Sequence, residues 1–133
     1  MSTLRAFLGR YSEQAYALMR IIVAVLYLCH GAQKLFGVLG GKPVWGGPPL
    51  FIAAGLIEVP TGLLMALGLF TVPAAFLASG EMAVAYFTQH APRGLWPIEN
   101  HGELPVLFCF VFLYVATRGP GIWSVDGVRG SRP

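Results

Sequence analysis

The sequence predicts an all-α integral membrane protein, an antiparallel four-helix bundle with both termini in the cytoplasm. Three observations predict it. Of the 133 residues, 56% are hydrophobic and only 11% charged, against about 25% charged in a soluble domain. The deficit runs the whole length, with a mean hydropathy of +0.66, so residues 1–133 read as one membrane domain. Four apolar stretches, about 15–36, 50–69, 72–88 and 103–117, are separated by polar or Gly- and Pro-rich segments. The net charge of +3 gives no nucleic-acid signal, because the basic residues sit where topology determinants sit, at the ends of apolar stretches.

The first stretch, 15–36, is long enough at about 1.5 Å per residue to cross a hydrocarbon core of about 30 Å. Arg5 and Arg10 precede it as in a signal peptide, but no small-x-small cleavage site follows and the run ends in His-Gly-Ala-Gln-Lys, so it reads as a retained span. The segment 37–49 is a loop, by its glycines and prolines, and Trp45 suits the headgroup level. The second stretch, 50–69, meets the third, 72–88, through the tight turn Gly68-Leu69-Phe70-Thr71, which makes an antiparallel hairpin. Pro73 is tolerated in the first turn of the third helix. The segment 89–102 is a polar loop, and 103–117 is a short fourth span that must be sheltered or thin the bilayer. The Gly- and Pro-rich tail should hug the surface.

Lysine and arginine set the orientation. Arg5, Arg10, Arg118, Arg129 and Arg132 fall on the side of the termini, and Lys34, Lys42 and Arg93 on the other. The positive-inside rule then puts the termini in the cytoplasm and both long loops outside.

Each span carries ionisable groups, at a cost of roughly 2.5–3.5 kcal/mol per charge at bilayer depth. At about 100° per residue, Arg20, Tyr27, His30, Gly31 and Lys34 share a side of the first helix. Gly55, Glu58 and Gly62 share a face of the second, Ala78, Glu81, Ala85 and Thr88 of the third, and Glu103, Phe110 and Tyr114 of the fourth. Turning these stripes inward buries the polar groups and lets small residues bring backbones close. Glu58 and Glu81 fall near the midplane, where either a cation lies between them or one holds a proton. Arg20 is the expected partner for one of them. His30 and Lys34 lie nearer the outer face, with Glu103 and the His90, Glu99, Asn100, His101 cluster. Such a network holds helices in register or forms a site, and the residues leave both open.

The histidines and carboxylates show no tight metal-binding motif, so no metal is expected. Cys29 and Cys109 share a depth and could pair if their helices are adjacent, or serve as small packing residues.

The run Arg20 … His30-Gly31-Ala32-Gln33-Lys34-Leu35-Phe36-Gly37 resembles the first-helix signature of the DoxX family. Gly55-Leu56-Ile57-Glu58 with Gly62, Leu67 to Thr71, Glu81 with Ala85, Asn100 to Glu103, and the tail Gly119-Pro120-Gly121 … Ser124-Val125-Asp126 are similar to it too. The resemblance implies a four-helix membrane bundle. The family is named for a subunit of a membrane thiosulfate:quinone oxidoreductase, and other members are linked to membrane redox complexes that handle sulfur compounds and oxidative stress. It therefore implies a quinone-linked redox subunit of the bacterial inner membrane. On that reading Glu58, Glu81 and His30 carry the proton chemistry, and Arg20, Tyr27, His30, Lys34 and Glu103 bind a non-covalent quinone. Electrons would come from a partner or a bound thiol. The alternative is a non-catalytic anchor or structural subunit of a larger membrane complex, with a structural ionisable core. A permease would need several copies.

Overall fold

The computed structural model describes residues 2–130, so Arg132, counted above among the charges beside the termini, lies outside them. All the regular secondary structure among the described residues is helical, with no strand. A short helix α1 (Thr3–Gly9), none of whose residues is buried, precedes α2 (Ser12–Phe36). Then come α3 (Pro49–Leu67) and α4 (Thr71–Ala85). The helical path continues beyond α4 through a π turn, Tyr86–His90, and a 3-10 turn, Ala91–Arg93. α5 (Pro97–Asn100), α6 (Glu103–Arg118) and α7 (Val125–Val128) complete it. The segment expected to be an irregular polar loop is thus largely helical. Pro92, Pro97 and Gly94 break it into short turns instead of unwinding it. α2 and α3 are each long and apolar enough to cross a membrane.

The termini of these helices follow from local chemistry. α2 stops at Gly37 in a left-handed conformation, φ 65°, whose N–H caps the Gln33 carbonyl. The loop then folds back on α2. Val44 donates its N–H to the Lys34 carbonyl at 2.8 Å, and Trp45 its indole N–H to that of Leu35 at 2.7 Å. α3 opens with proline in its first turn and ends at left-handed Gly68.

α2 packs along α3, α3 along α4, and α4 along α6. Small residues set the spacing. A Cβ on Gly31 would lie 2.7 Å from the Glu58 Cβ and 2.9 Å from the Val59 nitrogen. Ala74, Ala75 and Ala78 of α4 are all buried. The core holds Tyr27, Met65, Phe108 and Phe112, but it also takes in charged groups, and many large apolar side chains stay outside. Arg20 and Glu58 are among the largest fully buried side chains, while Phe76 (68%), Phe87 (70%) and Phe110 (64%) stand exposed. Small and polar groups inside, with large apolar groups outside, is the distribution a lipid solvent favours.

The tail after α6 is tied to one end of this assembly. Arg20, expected beside a carboxylate, instead donates to four backbone carbonyls. These are Met65 at 3.1 Å, Ile122 at 3.1 Å, Trp123 at 2.6 Å, and Pro120. A guanidinium with five fixed donors suits such a cluster of acceptors. The Tyr16 hydroxyl donates to the Gly119 carbonyl at 2.6 Å. Arg118 pairs with Glu13 and stacks 3.9 Å over the Tyr16 ring.

Asp126 closes the clamp at the α3–α4 turn. It accepts from the Phe70 N–H at 3.1 Å and from the Thr71 N–H and hydroxyl, each at 2.9 Å, so a distant residue caps α4. Slight burial pushes its carboxyl up, but the Thr71 and Phe70 donors and the Arg129 charge outweigh this and hold it below the usual aspartate value.

Two outcomes follow. Gly31→Ala should destabilise the protein by about 1–3 kcal/mol through overpacking. Gly80→Ala, where a Cβ meets nothing within 4 Å, should not, and thermal midpoints in detergent compare them. Asp126→Ala should cost about 0.5–2 kcal/mol at neutral pH as a lost cap. A carboxyl held down in the folded state stabilises fully above its unfolded value, near 3.8, and loses that contribution as pH falls through its lower folded value. The gap between wild type and variant should therefore persist at pH 5 and close in stronger acid; a gap independent of pH down to strong acid would contradict a charged cap.

Candidate functional site

A cavity of about 850 Å³ lies above the α3–α4 turn. Ala53, Ala54 and Ile57 of α3 line it opposite Phe76, Leu77 and Val84 of α4, and Leu104, Pro105 and Phe108 of α6 add to its apolar lining. Its volume is within the range of about 300–1,000 Å³ usual for small-molecule sites, which are mostly apolar with few polar groups.

The polar groups come from three helices. Helical spacing puts Tyr27, His30 and Lys34 on one side of α2. Lys34 reaches across to Glu58 of α3, with Nζ 3.0 Å from Oε1 and 2.8 Å from Oε2. Glu58 is only 1% exposed, and this is its ion pair. Glu81 of α4 stands close enough for the two carboxyls to interact electrostatically. The buried Tyr27 donates its hydroxyl to Glu81 Oε2 at 3.0 Å. Its ring packs edge-on against Phe108 and Phe112, with centroids at 5.6 and 4.8 Å, which fixes that hydroxyl. His30 lines the same cavity edge-on to Phe108 at 6.0 Å. Its ring nitrogens have no hydrogen-bond partner among the described residues. One cation thus faces two carboxyls, so the trio is neutral when a single proton is held between Glu58 and Glu81.

The stretch 86–102 forms the other end of the cavity. Asn100, buried, organises it: its amide donates to the Gly94 carbonyl at 2.9 Å and the Tyr86 hydroxyl at 3.2 Å, and accepts from the Gly102 N–H at 2.8 Å. His90 stacks on Tyr86, with Nδ1 3.0 Å from the Asn100 carbonyl. His90, Arg93 and His101 all line the cavity. Sequence periodicity reaches neither Asn100 nor Arg93, because no regular helix spans them. The sequence groups Asn100 with His90, Glu99 and His101, and the left-handed residue that follows Asn100 is His101, φ 59°.

Tyr27, His30, Lys34, Glu58 and Glu81 therefore converge. Arg20 does not: it sits in the tail clamp, and its place as carboxylate partner is taken by Lys34. Glu103 is exposed in the first turn of α6, outside the cavity lining, where its charge suits the helix dipole. Cys29 and Cys109 are free thiols. Among the described residues, no three His, Cys, Asp or Glu side chains converge to hold a metal ion.

Comparison with known proteins places this geometry. The DoxX family model matches residues 15–91, which include α2, α3, α4 and the carboxyl pair. An uncharacterized protein of Haemophilus influenzae is 40% identical over 126 residues, covering 90% of this chain and 93% of its own. Inner membrane protein YphA of Escherichia coli K12 is 29% identical over 142 residues, covering 95% and 99%. No solved structure matches.

Breaking the ion pair from one side should be worse than removing it. Glu58→Gln takes away the ion pair of Lys34 and leaves only Glu81 as a nearby carboxyl, and should cost about 1.5–3 kcal/mol as a lost charged hydrogen bond, whereas Lys34→Met with Glu58→Gln should recover most of that loss. Thermal unfolding of both single variants and the double variant in detergent decides: a double-variant loss equal to the sum of the two single losses would show that the pair is not a unit.

Proposed function

The chain belongs to the DoxX family, and from that premise we propose an inner-membrane four-helix bundle whose cavity takes a quinone for a membrane oxidoreductase system. The bundle comprises α2, α3, α4 with its π turn, and α6. The name of the Escherichia coli relative supports the inner membrane, and the basic residues near the termini support a cytoplasmic location for both.

One observation carries the reading: an apolar cavity of about 850 Å³ whose interior polar groups are Tyr27, His30, Lys34, Glu58 and Glu81. The residues fit a quinone. Its two carbonyls need donors, and Lys34 Nζ and the unpartnered ring of His30 line the space. Its tail needs an apolar path to lipid, and Phe76, Leu77 and Val84 line the cavity while standing exposed on the outer surface. When bound and reduced, a quinone takes up two electrons and two protons. His30 and Lys34 orient its carbonyls by hydrogen bonds. Glu58 and Glu81 hold a proton next to that position, and Tyr27 keeps the Glu81 carboxyl in place. The apolar walls exclude bulk water. Electrons come from a protein partner or a bound thiol.

A second reading rests on the ties themselves. Lys34–Glu58 joins α2 to α3, and Arg20 joins α2 to α3 and the tail, which suits a structural subunit of a larger complex.

Mass spectrometry of the organic extract from purified protein tests the choice. The quinone reading expects stoichiometric quinone, reduced roughly 5–10-fold in affinity by His30→Ala, the loss of about one hydrogen bond. Glu81→Gln should leave the thermal midpoint near wild type while suppressing quinone-dependent proton uptake. An extract holding phospholipid alone, from protein that copurifies with a stable partner, would replace this with the structural reading.

A further inference from the structure

The chain has three histidines, and all three line one cavity although they lie at positions 30, 90 and 101. Two of them stand with Arg93 at the end away from the α3–α4 turn. We propose that Arg93, His90 and His101 form an anion subsite at the cavity mouth for the phosphate of an anionic phospholipid. This goes beyond the quinone reading and rests only on membrane embedding.

Among the described residues Arg93 makes no ion pair, although the Glu99 carboxylate stands beside Gly94 in the same segment. The described ion pairs are Lys34–Glu58 and Arg118–Glu13. Arg93 donates to the Gln89 carbonyl, from Nε at 3.1 Å and Nη2 at 2.8 Å, and its Nη2 also lies 3.4 Å from His90 Nδ1. Those contacts orient the guanidinium and leave Nη1 without a hydrogen-bond partner among the described residues. A carbonyl only accepts, so His90 Nδ1, 3.0 Å from the Asn100 oxygen, is the donor and its Nε2 is left open. Asn100, 1% exposed, is held by Tyr86, Gly94 and Gly102, so the position of His90 is built rather than incidental. The carboxyls of the cavity, Glu58 and Glu81, are committed to Lys34 and Tyr27.

Two further features point to a lipid rather than a free ion. Leu95 (79%) and Ile98 (74%) flank Arg93 and are exposed, as is Trp96, which is the composition of a segment set at headgroup depth. The cavity also runs from this cationic mouth to apolar residues open on the outer surface, Phe76 and Leu77. A phosphate at Arg93 therefore leaves an acyl chain an apolar path between α3 and α4. Basic pockets between membrane helices take anionic headgroups in this way.

Native mass spectrometry of quinone-stripped protein, titrated with phosphatidylglycerol and phosphatidylcholine, reads the site independently of quinone. Tighter phosphatidylglycerol binding is expected, cut roughly fivefold by Arg93→Ala, the share of one interfacial cation, and kept by Arg93→Lys. His90→Ala should weaken it, and Arg10→Ala, at the other end, should not. Equal affinity for the two lipids, or an equal loss in Arg10→Ala and Arg93→Ala, would overturn the site. Inorganic phosphate is the second arm. Retention of the lipid at high phosphate supports a headgroup site, while displacement that Arg93→Ala abolishes would assign it to a free anion and overturn the lipid.

Discussion

The carboxylate of Glu58 is the constraint around which this molecule is arranged. An ionised carboxylate that is 1% exposed inside an apolar assembly is tolerable only with a cation in direct contact. Lys34 meets that demand from the last turn of α2. It can do so only because Gly31 lets the α2 backbone approach the Glu58 Cβ and the Val59 nitrogen to distances that a side chain would forbid. Close helix packing and charge neutralisation are thus one requirement. The pair also sets what else the cavity can hold. With one cation spent on Glu58, Glu81 is left to the Tyr27 hydroxyl.

The two ends of the molecule differ in kind. At one, Arg20, Tyr16 and Asp126 bind backbone groups of the tail and of the α3–α4 turn. Their polar capacity is used up in holding the chain to itself. Arg20 and Tyr16 donate to carbonyls that no helix satisfies, and this ties the tail down. At the other, Asn100 spends its hydrogen bonds on shaping a turn, and this leaves Arg93, His90 and His101 around an opening. The π turn Tyr86–His90 is part of this end, and such turns re-aim side chains at the cost of regular helix bonds.

The family relation and the geometry speak to different questions. The match over residues 15–91 covers the ion pair, Glu81 and the cavity walls on α2, α3 and α4. α6 and the tail clamp lie beyond it, yet Phe108 and Phe112 fix the Tyr27 ring and Asp126 caps α4. The carboxyl site is therefore assembled partly by chain outside the matched region.

The sequence by itself determined that the chain is helical and apolar on its outside, and that Tyr27, His30 and Lys34 share one side of one helix. Composition and the 3.6-residue period are local properties, and a helix imposes them wherever it sits. The glycines at 31, 55 and 62 marked close packing for the same reason. Which charge meets which was decided only by the tertiary structure. Arg20 and Lys34 lie on the same stripe, and periodicity cannot say which of them reaches Glu58. That depends on how far α2 slides along α3, which Gly31 and the loop bonds from Val44 and Trp45 set. Nor could periodicity anticipate that Arg20 would bind four carbonyls, because one belongs to Met65 of α3 and the other three to a tail roughly a hundred positions away. Asn100 and Arg93 lay in a segment without a period to read. Pairing among buried polar groups is a long-range property, and the fold alone brings the partners together.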